Sequence, residues 1–413
     1  MNAIQQLKAE TEREASDATE GELAQLVEDH TAFALWMYHA GRATVEAEEN
    51  FLFSPISIST AFAMLWPGAE GETAAEIAEM LGFAMPADRF HAAGNRLLAE
   101  LAARNDYTPG EDEGDAPILE IHNDLWGLDD YPYVPAFLDL LARHYGAGMW
   151  IVDFVTAWEE AREEINAYIE WRTRGLIPEL LPEDSITDLT RLVLTNVVYF
   201  KGAWRFPFDP DATRDAPFTA LDGSVSDVPM MSGYVDVAHH AAVDGAEIVE
   251  LDYVGEGLSM ALILPDEGTF AAFEESLDAA GLTAMLGALA PMEGQLAMPR
   301  FAFDAELDLV PIFEEAGYEV PFDGGRADFS GLSETALAEG LHVTGAFHQA
   351  RIILDEEGTE AAAATAIVVG AESAPVNVFD VRLDRPFLFV LRDRPTGTIL
   401  FLGRVVDAAA AQE

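Results

Sequence analysis

The sequence has no cysteine and almost no lysine. Without cysteine, the chain can form no disulfide, no thiolate metal site and no cysteine nucleophile. The only lysines are Lys8 and Lys201, so arginine carries nearly all of the positive charge. The sequence also has no uncharged apolar run of about 18 residues, the length that a membrane-spanning helix needs, and its start resembles no secretion signal. We therefore expect a cytoplasmic protein that does not contact a membrane, with export by an unrecognised route as the alternative.

Acidic residues outnumber basic ones by a wide margin. The 413 residues include 74 Asp and Glu but only 22 Lys and Arg, which gives a formal net charge of −52. This charge argues against nucleic acid binding, because phosphates require a basic face. Half of the residues are hydrophobic, which is enough for a folded core and distinguishes the chain from disordered acidic proteins.

This excess of carboxylates predicts a protein from a halophilic source. The Debye length falls from about 10 Å at 0.1 M salt to about 3 Å at 1 M. Molar salt would therefore screen the repulsion that destabilises a compact, highly charged fold. The alternative is an acidic protein from an ordinary cell. With only two lysines among its 22 basic residues, the composition favours the halophilic interpretation.

The apolar pattern predicts mainly helices in the first half and mainly strands in the last third. In residues 22–42, apolar side chains recur at spacings of three and four, which is typical of an amphipathic helix. We find no linker and no internal repeat. We therefore predict the α+β class, with one large domain at 21–407, a loose polar leader at 1–20 and a tail at 408–413. Further helices are predicted near 73–81, 87–103, 134–145 and 158–173, and strands at 119–125, 192–200, 247–254, 258–264, 296–303, 349–355, 365–369, 379–383, 387–392 and 399–406.

The sequence contains none of the common catalytic or nucleotide-binding motifs. It lacks a GxSxG elbow, an HExxH helix, a GxxxxGK[ST] loop and a GxGxxG turn. His239 and His240 are adjacent, but neighbours in a strand point to opposite faces, and a metal needs a third ligand. We interpret the pair as a polar strand end, and we predict no catalytic residue, no metal site and no cofactor.

The segment 355–375 has an unusual composition. An acidic opening leads to Gly358, then to a run drawn almost entirely from Ala and Thr, and then to Ile and Val. Alanine favours helix whereas Ile and Val favour strand, so more than one conformation is accessible. In a strand, small uncharged side chains such as Thr359 and Ala361 would share one face, and Glu360 would lie on the other. Taken alone, the segment is more simply explained as an alanine-rich helix or linker.

Five blocks of the sequence occur in a characteristic order and at characteristic distances. They are FSPISISTAFAML (53–65), TNVVYFKGAW (195–204), VTGAFHQA (343–350) followed by EEGTEAAAAT (356–365), DRPFLFVL (384–391) and FLGRVV (401–406). Together they resemble the serpins, a family of serine protease inhibitors that act as conformational traps. The resemblance extends over about residues 22–407. It implies a serpin-like fold with about eight or nine helices around three β-sheets, and an exposed reactive-centre loop at about 356–378.

The resemblance also implies an inhibitor of serine-type endopeptidases and not an enzyme. In this family the loop is offered to a serine protease as a suicide substrate, and the cleaved loop inserts into the central sheet. Insertion needs small side chains in the hinge, and we identify the hinge as Glu356, Glu357, Gly358, Thr359, Glu360, Ala361, Ala362, Ala363 and Ala364. These residues favour inhibition, and a non-inhibitory, binding or chaperone-like serpin is the alternative. The family default is a monomer whose partner is the target protease.

Two polar sites carry over from the same resemblance. The shutter is a hydrogen-bonded cluster beneath the central strands, and the breach is the place where insertion begins. The shutter must re-pair its hydrogen bonds when strands part. By position, the shutter comprises Ser54, Ser57, Asn196 and His348, and the breach comprises Trp204 and Glu356.

The bait bond is placed by counting from the hinge glycine, as in family loops of this length. The count puts it between Glu372 and Ser373, and a slip of one residue would put it between Ala371 and Glu372. The residue before the bond largely sets protease choice. Glu372 would suit a glutamyl-specific protease, whereas Ala371 would suit subtilisin-like or elastase-like enzymes. Residues 370–375 contain no Arg or Lys, which disfavours trypsin-like targets.

The halophilic interpretation predicts that salt stabilises the fold. The thermal unfolding midpoint, followed by circular dichroism, should rise between 0.1 M and 2 M KCl because screening weakens carboxylate repulsion. A parallel series in NaCl would separate screening from an effect specific to potassium. Equal midpoints at the two KCl concentrations would contradict the interpretation.

Overall fold

The computed structural model describes residues 4–110, 113–243, 245–360 and 378–412. In these residues, none of the helices combines the length and the apolar composition needed to cross a membrane. The α-helices are α1 (Glu20–Arg42), α2 (Pro55–Leu65), α3 (Gly71–Met80), α4 (Ala87–Ala102), α5 (Pro135–Leu140), α6 (Trp158–Arg172), α7 (Phe270–Ser276), α8 (Ala279–Gly287), α9 (Leu309–Glu315) and α10 (Ala336–Glu339). The strands are β1 (Gln5–Leu7), β2 (Phe51–Phe53), β3 (Ile118–Leu128), β4 (Met149–Val152), β5 (Leu192–Ala203), β6 (Arg214–Thr219), β7 (Val225–Val243), β8 (Ala246–Asp252), β9 (Leu258–Pro265), β10 (Ala290–Pro299), β11 (Phe301–Asp308), β12 (Gly345–Leu354), β13 (Gly358–Thr359), β14 (Phe379–Arg382), β15 (Phe387–Asp393) and β16 (Ile399–Val405).

The first two helices begin where the sequence provides a start signal. At α1, the Glu22 backbone N–H donates to the Thr19 hydroxyl (3.2 Å), and the Thr19 backbone N–H donates to the Glu22 carboxylate (2.8 Å). This reciprocal pair is a capping box. Helix α2 starts with Pro55, whose missing N–H would have had no intrahelical partner there. Because α2 is apolar on nearly all sides, it is buried and contacts β3, β5 and β16.

The strands form two sheets. The central sheet has seven strands in the order β1-β4-β3-β5-β13-β12-β11. In it, β5 and β12 are parallel neighbours over part of their length, and β13 lies between them beyond that part. The second sheet has the order β14-β10-β7-β8-β9-β15-β16-β2, with β6 paired to β7. If the loop inserts as the family resemblance implies, it would enter the central sheet as an additional strand.

Helix α6 covers one face of the central sheet. Its Ile165 and Ile169 belong to the same apolar cluster as Val193 and Val197 of β5, and Phe347 of β12 packs against that cluster. The helix therefore lies over the place where β5 and β12 pair.

The α+β class and the single domain are confirmed, and two details differ from the prediction. Among the described residues there are two hydrogen-bonded sheets instead of three, because β7 pairs with β10 through residues 230–240 and with β8 through 239–243. The 19 residues of β7 thus join an expected third sheet to the second. These residues also form ten α-helices instead of eight or nine. Helices such as α9 and α10, with seven and four residues, are too short to show a helical period.

Segments near both ends of the described chain are hydrogen-bonded to the rest of the fold, within the ranges predicted as a loose leader at 1–20 and a tail at 408–413. Gln5–Leu7 forms an edge strand on β4, and Arg13 Nε donates to the Asn95 side chain (2.8 Å). Near the other end, the Ala302 N–H donates to the Ala411 carbonyl (2.7 Å). Hydrogen bonds to existing edges hold these segments, and such pairing requires no apolar pattern that a sequence could reveal.

Candidate functional site

The candidate site is an interruption in the pairing of β5 with β12. The two strands pair in parallel from Val193 and Gly345 up to Val197 and Gln349. Beyond these residues they are not paired with each other in the described part of the chain, and the two-residue strand β13 lies between them. In β13, Thr359 is in register with Gly202 of β5 and Leu354 of β12. The predicted hinge therefore enters the central sheet at the open end of this interruption.

Gly358 is required by the close approach of the β5 backbone. Its φ is +149°, and a Cβ atom there would lie 2.1 Å from the Gly202 carbonyl oxygen and 2.9 Å from Ala203 Cα. Glycine alone accepts both this dihedral angle and this contact. The first residue of the inserted strand can therefore not carry a side chain.

Trp204 holds the hinge from the side of β5. Its backbone N–H donates to the Glu357 carbonyl (2.8 Å), and its indole N–H donates to the Asp355 carbonyl (3.0 Å). The indole stacks on Tyr253, with 4.5 Å between ring centroids and 13° between planes. The Tyr253 and Thr359 hydroxyls lie 2.7 Å apart. The structure thus brings the predicted breach residue Trp204 against the hinge, together with Tyr253, which the sequence analysis missed.

Glu356 anchors the start of the hinge. Its carboxylate accepts hydrogen bonds from Arg300 Nε (2.8 Å) and Nη2 (2.5 Å), and also from the Thr213 hydroxyl. Burial acts to raise the pKa of Glu356, but Arg300 and Thr213 outweigh it, and the pKa is lowered. The carboxylate is therefore ionised at neutral pH and fixed in place. Arg300 and Thr213 were not predicted, because they are distant in sequence and belong to no motif.

The described hinge ends at Glu360. Its backbone N–H donates to the Ile353 carbonyl (3.0 Å) of β12, and its φ is +51°, a strained value for a residue with a side chain. Burial raises the pKa of its carboxyl group, partly opposed by Tyr199 and Lys201. The remaining predicted hinge and bait positions, which are Ala361, Ala362, Ala363, Ala364, Ala371, Glu372 and Ser373, lie outside the described residues, as does the predicted strand at 365–369.

The four predicted shutter residues lie close together below the interruption. His348 Nδ1 is 2.5 Å from Asn196 Oδ1, and His348 Nε2 accepts from the Ser54 backbone N–H (3.0 Å). Because a backbone N–H can only donate, the imidazole proton is on Nδ1. Burial lowers the pKa of His348 to about 3, so the ring is neutral. Ser57 Oγ lies 2.9 Å from the side-chain amide of Asn123, which is in register with Asn196 and was not predicted.

The shutter is incompletely hydrogen-bonded. Ser54 Oγ and Asn196 Nδ2 are buried, and neither has a hydrogen-bond partner within the described residues. Buried polar atoms are normally paired, and an unpaired one costs about 1–3 kcal/mol. The cluster therefore retains donors and acceptors that a rearranged set of strands can use.

The histidine pair of β7 lies away from this site. His239 Nε2 is 3.1 Å from Arg394, whereas His240 Nε2 is 3.4 Å from the Glu247 carboxylate. The two side chains have different partners on the second sheet. In the described part of the chain, no three His, Cys, Asp or Glu side chains are grouped so that they could hold a metal ion.

Comparison with known proteins identifies the family. A family model for "Serpin (serine protease inhibitor)" matches residues 28–408. The chain belongs to the serpin family. It is 36% identical over 392 residues to leukocyte elastase inhibitor of Equus caballus, covering 92% of this chain and 99% of that protein. The family description is that of protease inhibitors and not of enzymes.

Solved serpin structures share the fold. The native state of the thermophilic serpin tengpin matches with a TM-score of 0.82 and 23% identity, covering 97% of each chain. Human thyroxine-binding globulin in complex with thyroxine matches with a TM-score of 0.80 and 28% identity, covering 94% of this chain and 99% of that one. The matched serpins thus include an elastase inhibitor and a thyroxine-binding globulin.

The shutter geometry predicts that His348 is important for stability. His348→Ala leaves the Ser54 N–H without its acceptor and Asn196 Oδ1 without its donor, and it opens a cavity. The free energy of unfolding in 2 M KCl, measured by urea titration, should fall by about 2–4 kcal/mol.

His342 provides the control for this measurement. It is partly exposed, and its Nδ1 lies 2.8 Å from the Gly340 carbonyl oxygen of its own loop. His342→Ala should change the free energy of unfolding by less than about 1 kcal/mol. Equal losses in the two variants would contradict a special role for the shutter histidine.

Proposed function

We propose that this serpin is an inhibitor that traps serine proteases as a suicide substrate. The observation that carries the proposal is the position of Gly358 and Thr359 between β5 and β12, at the open end of the interrupted pairing. A chain that continues from Thr359 in the strand direction would run down the interruption towards Val197 and Gln349. The small residues of the predicted hinge would fit between the two strands, because no large side chain has to be accommodated.

The proposed reaction is an acyl transfer that stops at the acyl-enzyme, before hydrolysis. The protease serine oxygen attacks the carbonyl carbon of Glu372, the peptide bond to Ser373 breaks, and the new amine of Ser373 takes the proton. The loop from Gly358 to Glu372 spans fourteen residue steps, or about 45 Å at roughly 3.3 Å each. Its insertion would carry the acylated protease along the sheet and distort the active site before water can hydrolyse the ester. The native state would be metastable, since insertion adds a strand to the central sheet.

The target class depends on the bait residue. Glu372 before the bond would favour a glutamyl-specific serine protease, whereas a bond after Ala371 would favour subtilisin-like or elastase-like proteases. The similarity to an elastase inhibitor supports a bond after Ala371 as the alternative. We further propose that the protein acts as a monomer, in a salt-rich cytoplasm, against proteases of the same compartment.

A binding function without inhibition is the second candidate. The similarity to thyroxine-binding globulin, which is solved with its ligand, supports it. The two candidates differ in the response to loop cleavage. An inhibitory serpin should show a much higher unfolding temperature after the loop is cut, because the cut strand inserts, and a non-inhibitory member should not.

Trapping requires a small side chain at Thr359. This residue is buried between the two strands, with its hydroxyl on that of Tyr253. Thr359→Arg should abolish the protease complex that survives SDS and boiling, while cleavage of the loop continues, because the bulky cation blocks insertion. The assay is a denaturing gel of mixtures with a glutamyl-specific protease in molar KCl.

Thr108→Arg is the matched control for this gel assay. Thr108 is exposed in a surface loop, so its replacement should leave complex formation unchanged. A stable complex with Thr359→Arg would contradict the trapping mechanism. Clean cleavage of the unchanged protein without any complex, by glutamyl-specific, subtilisin-like and elastase-like proteases alike, would favour the non-inhibitory candidate.

The bait assignment predicts a change of target when Glu372 is replaced. Glu372→Ala should reduce the rate of complex formation with a glutamyl-specific protease by about 100-fold or more, because the enzyme loses its charged contact. The same variant should gain reactivity towards an elastase-like protease. Mass spectrometry of the unchanged protein should find the cut after Glu372, and a cut after Ala371 in the stable complex would move the bait bond.

A further inference from the structure

Asp124 is a carboxyl group beneath α6, on the face of the central sheet that this helix covers. The Trp150 indole N–H of β4 donates to Asp124 Oδ1 (2.6 Å), and the Tyr168 hydroxyl of α6 donates to the same oxygen (3.4 Å). The other oxygen, Oδ2, is completely buried and has no hydrogen-bond partner among the described residues. The residue as a whole keeps some solvent contact. An ionised carboxylate in this position therefore bears an uncompensated desolvation cost.

The surroundings of Asp124 provide little positive charge. Arg172 of α6 is the nearest cation, but its Nε already donates to His122 Nδ1 (3.0 Å) on β3. The titratable or polar groups that face Asp124 are His122 on β3, Trp150 on β4, Thr195 on β5, and Tyr168 and Arg172 on α6.

Burial raises the pKa of Asp124 to about 6, although Trp150 and Arg172 act to lower it. An exposed aspartate has a pKa of about 3.9. The form in which α6 covers Asp124 therefore binds a proton more tightly than a form in which the carboxyl group meets water. Raising the pH from 4 to 6 destabilises the covered form relative to the uncovered one.

Helix α6 lies across the path of an inserting strand. Its apolar face packs over Val193 and Val197 of β5 and over Phe347 of β12, where these two strands pair. A new strand between β5 and β12 separates these residues, so α6 has to lift or shift while the strand passes. This step belongs to the proposed trapping function and depends on it.

We propose that Asp124 is a positioning residue that sets how readily α6 lifts from the central sheet during loop insertion. The ionised carboxylate favours lifting, because it is hydrated once the helix moves away. The protonated carboxyl group favours the covered form, because it keeps its hydrogen bonds without a buried charge.

His122 responds to pH in the opposite sense. Burial lowers the pKa of His122 to about 4, with Arg172 acting in the same direction. When α6 lifts, His122 regains its ordinary pKa and takes up a proton below about pH 6.5. The two effects oppose each other in the unchanged protein, so the contribution of Asp124 has to be measured as a ratio between two proteins that both retain His122.

The test compares the unchanged protein with Asp124→Asn, which keeps the size and the acceptor for Trp150 but cannot ionise. A glutamyl-specific protease cuts the loop, and the rate of the tryptophan fluorescence change that follows is taken as the insertion rate. The protease concentration is raised until this rate no longer depends on it, so that cleavage is not the slow step. The ratio of the two insertion rates, unchanged protein over variant, should rise by about tenfold from pH 5 to pH 7.5 in 2 M KCl. The ratio cancels the pH dependence of His122 and of the protease.

Glu170→Gln is the control, since Glu170 is exposed on α6 and its replacement removes the same charge. Its rate ratio should stay constant with pH. Tyr168→Phe removes the hydrogen bond from α6 to Asp124 directly, and it replaces Asp124→Asn as the test variant if Asp124→Asn does not fold. It should accelerate insertion at pH 5 by about fivefold, the effect of one lost hydrogen bond of about 1 kcal/mol.

The outcomes separate this role from the proposed function. A constant ratio for Asp124→Asn, or an unchanged rate for Tyr168→Phe, would overturn the role of Asp124 while insertion itself stands. If cutting the loop of the unchanged protein produces no fluorescence change and no rise in unfolding temperature, the insertion mechanism is overturned, and this role with it.

Discussion

The interrupted pairing between β5 and β12 is the constraint on which the rest of the molecule depends. Parallel pairing stops at Val197 and Gln349, and Gly358 and Thr359 occupy the space further along. A sheet in this arrangement can accept another strand without breaking the outer pairs on β3 and β11. Hydrogen bonds that are made only on insertion stabilise the inserted form and leave the native form unaffected. In the proposed insertion mechanism, loop length, hinge composition and the covering helix would all have to suit this one space.

Several polar groups around the interruption have incomplete hydrogen bonding. Ser54 Oγ and Asn196 Nδ2 of the shutter are buried without partners in the described residues, and so is one oxygen of Asp124. A fully paired network would rigidify this region and favour the native arrangement. Glu356 differs, because Arg300 and Thr213 fix it firmly. The start of the hinge is therefore anchored, whereas the sheet through which it would move is not.

Carboxylates in the protein interior and carboxylates on its surface differ in how their charge is compensated. Two of the buried carboxylates are paired with arginine: Glu250 with Arg392 (2.6 Å), and Glu274 with Arg404 (3.1 Å). The guanidinium group suits this role because it presents several donors in a planar fork and stays ionised. Such pairing consumes the scarce cations, so the surface retains most of the excess acid. The acidic surface is a physical reason to expect a stabilising effect of salt.

The amino-acid sequence by itself determined the family and the α+β class, and it predicted the hinge, shutter and breach residues by position. It could do so because these features depend on local pattern, namely the five motif blocks and the run of small residues after Gly358. The amphipathic period of α1 and the apolar runs of the central strands are likewise visible in one dimension. The bait position rests on counting alone.

Only the tertiary structure decided which distant residues complete the site. Arg300 on Glu356, Tyr253 on Thr359, and Asn123 beside Ser57 are separated from their partners by 56 or more positions in the chain. No periodicity or motif links such residues, because their contacts arise from sheet register and the packing of elements. The same reason explains the edge strand at Gln5–Leu7, which backbone pairing alone holds on β4. Asp124 is the clearest case: in the sequence it is one of 74 acidic residues, and only the packing of α6 against β3 and β4 buries one of its carboxylate oxygens.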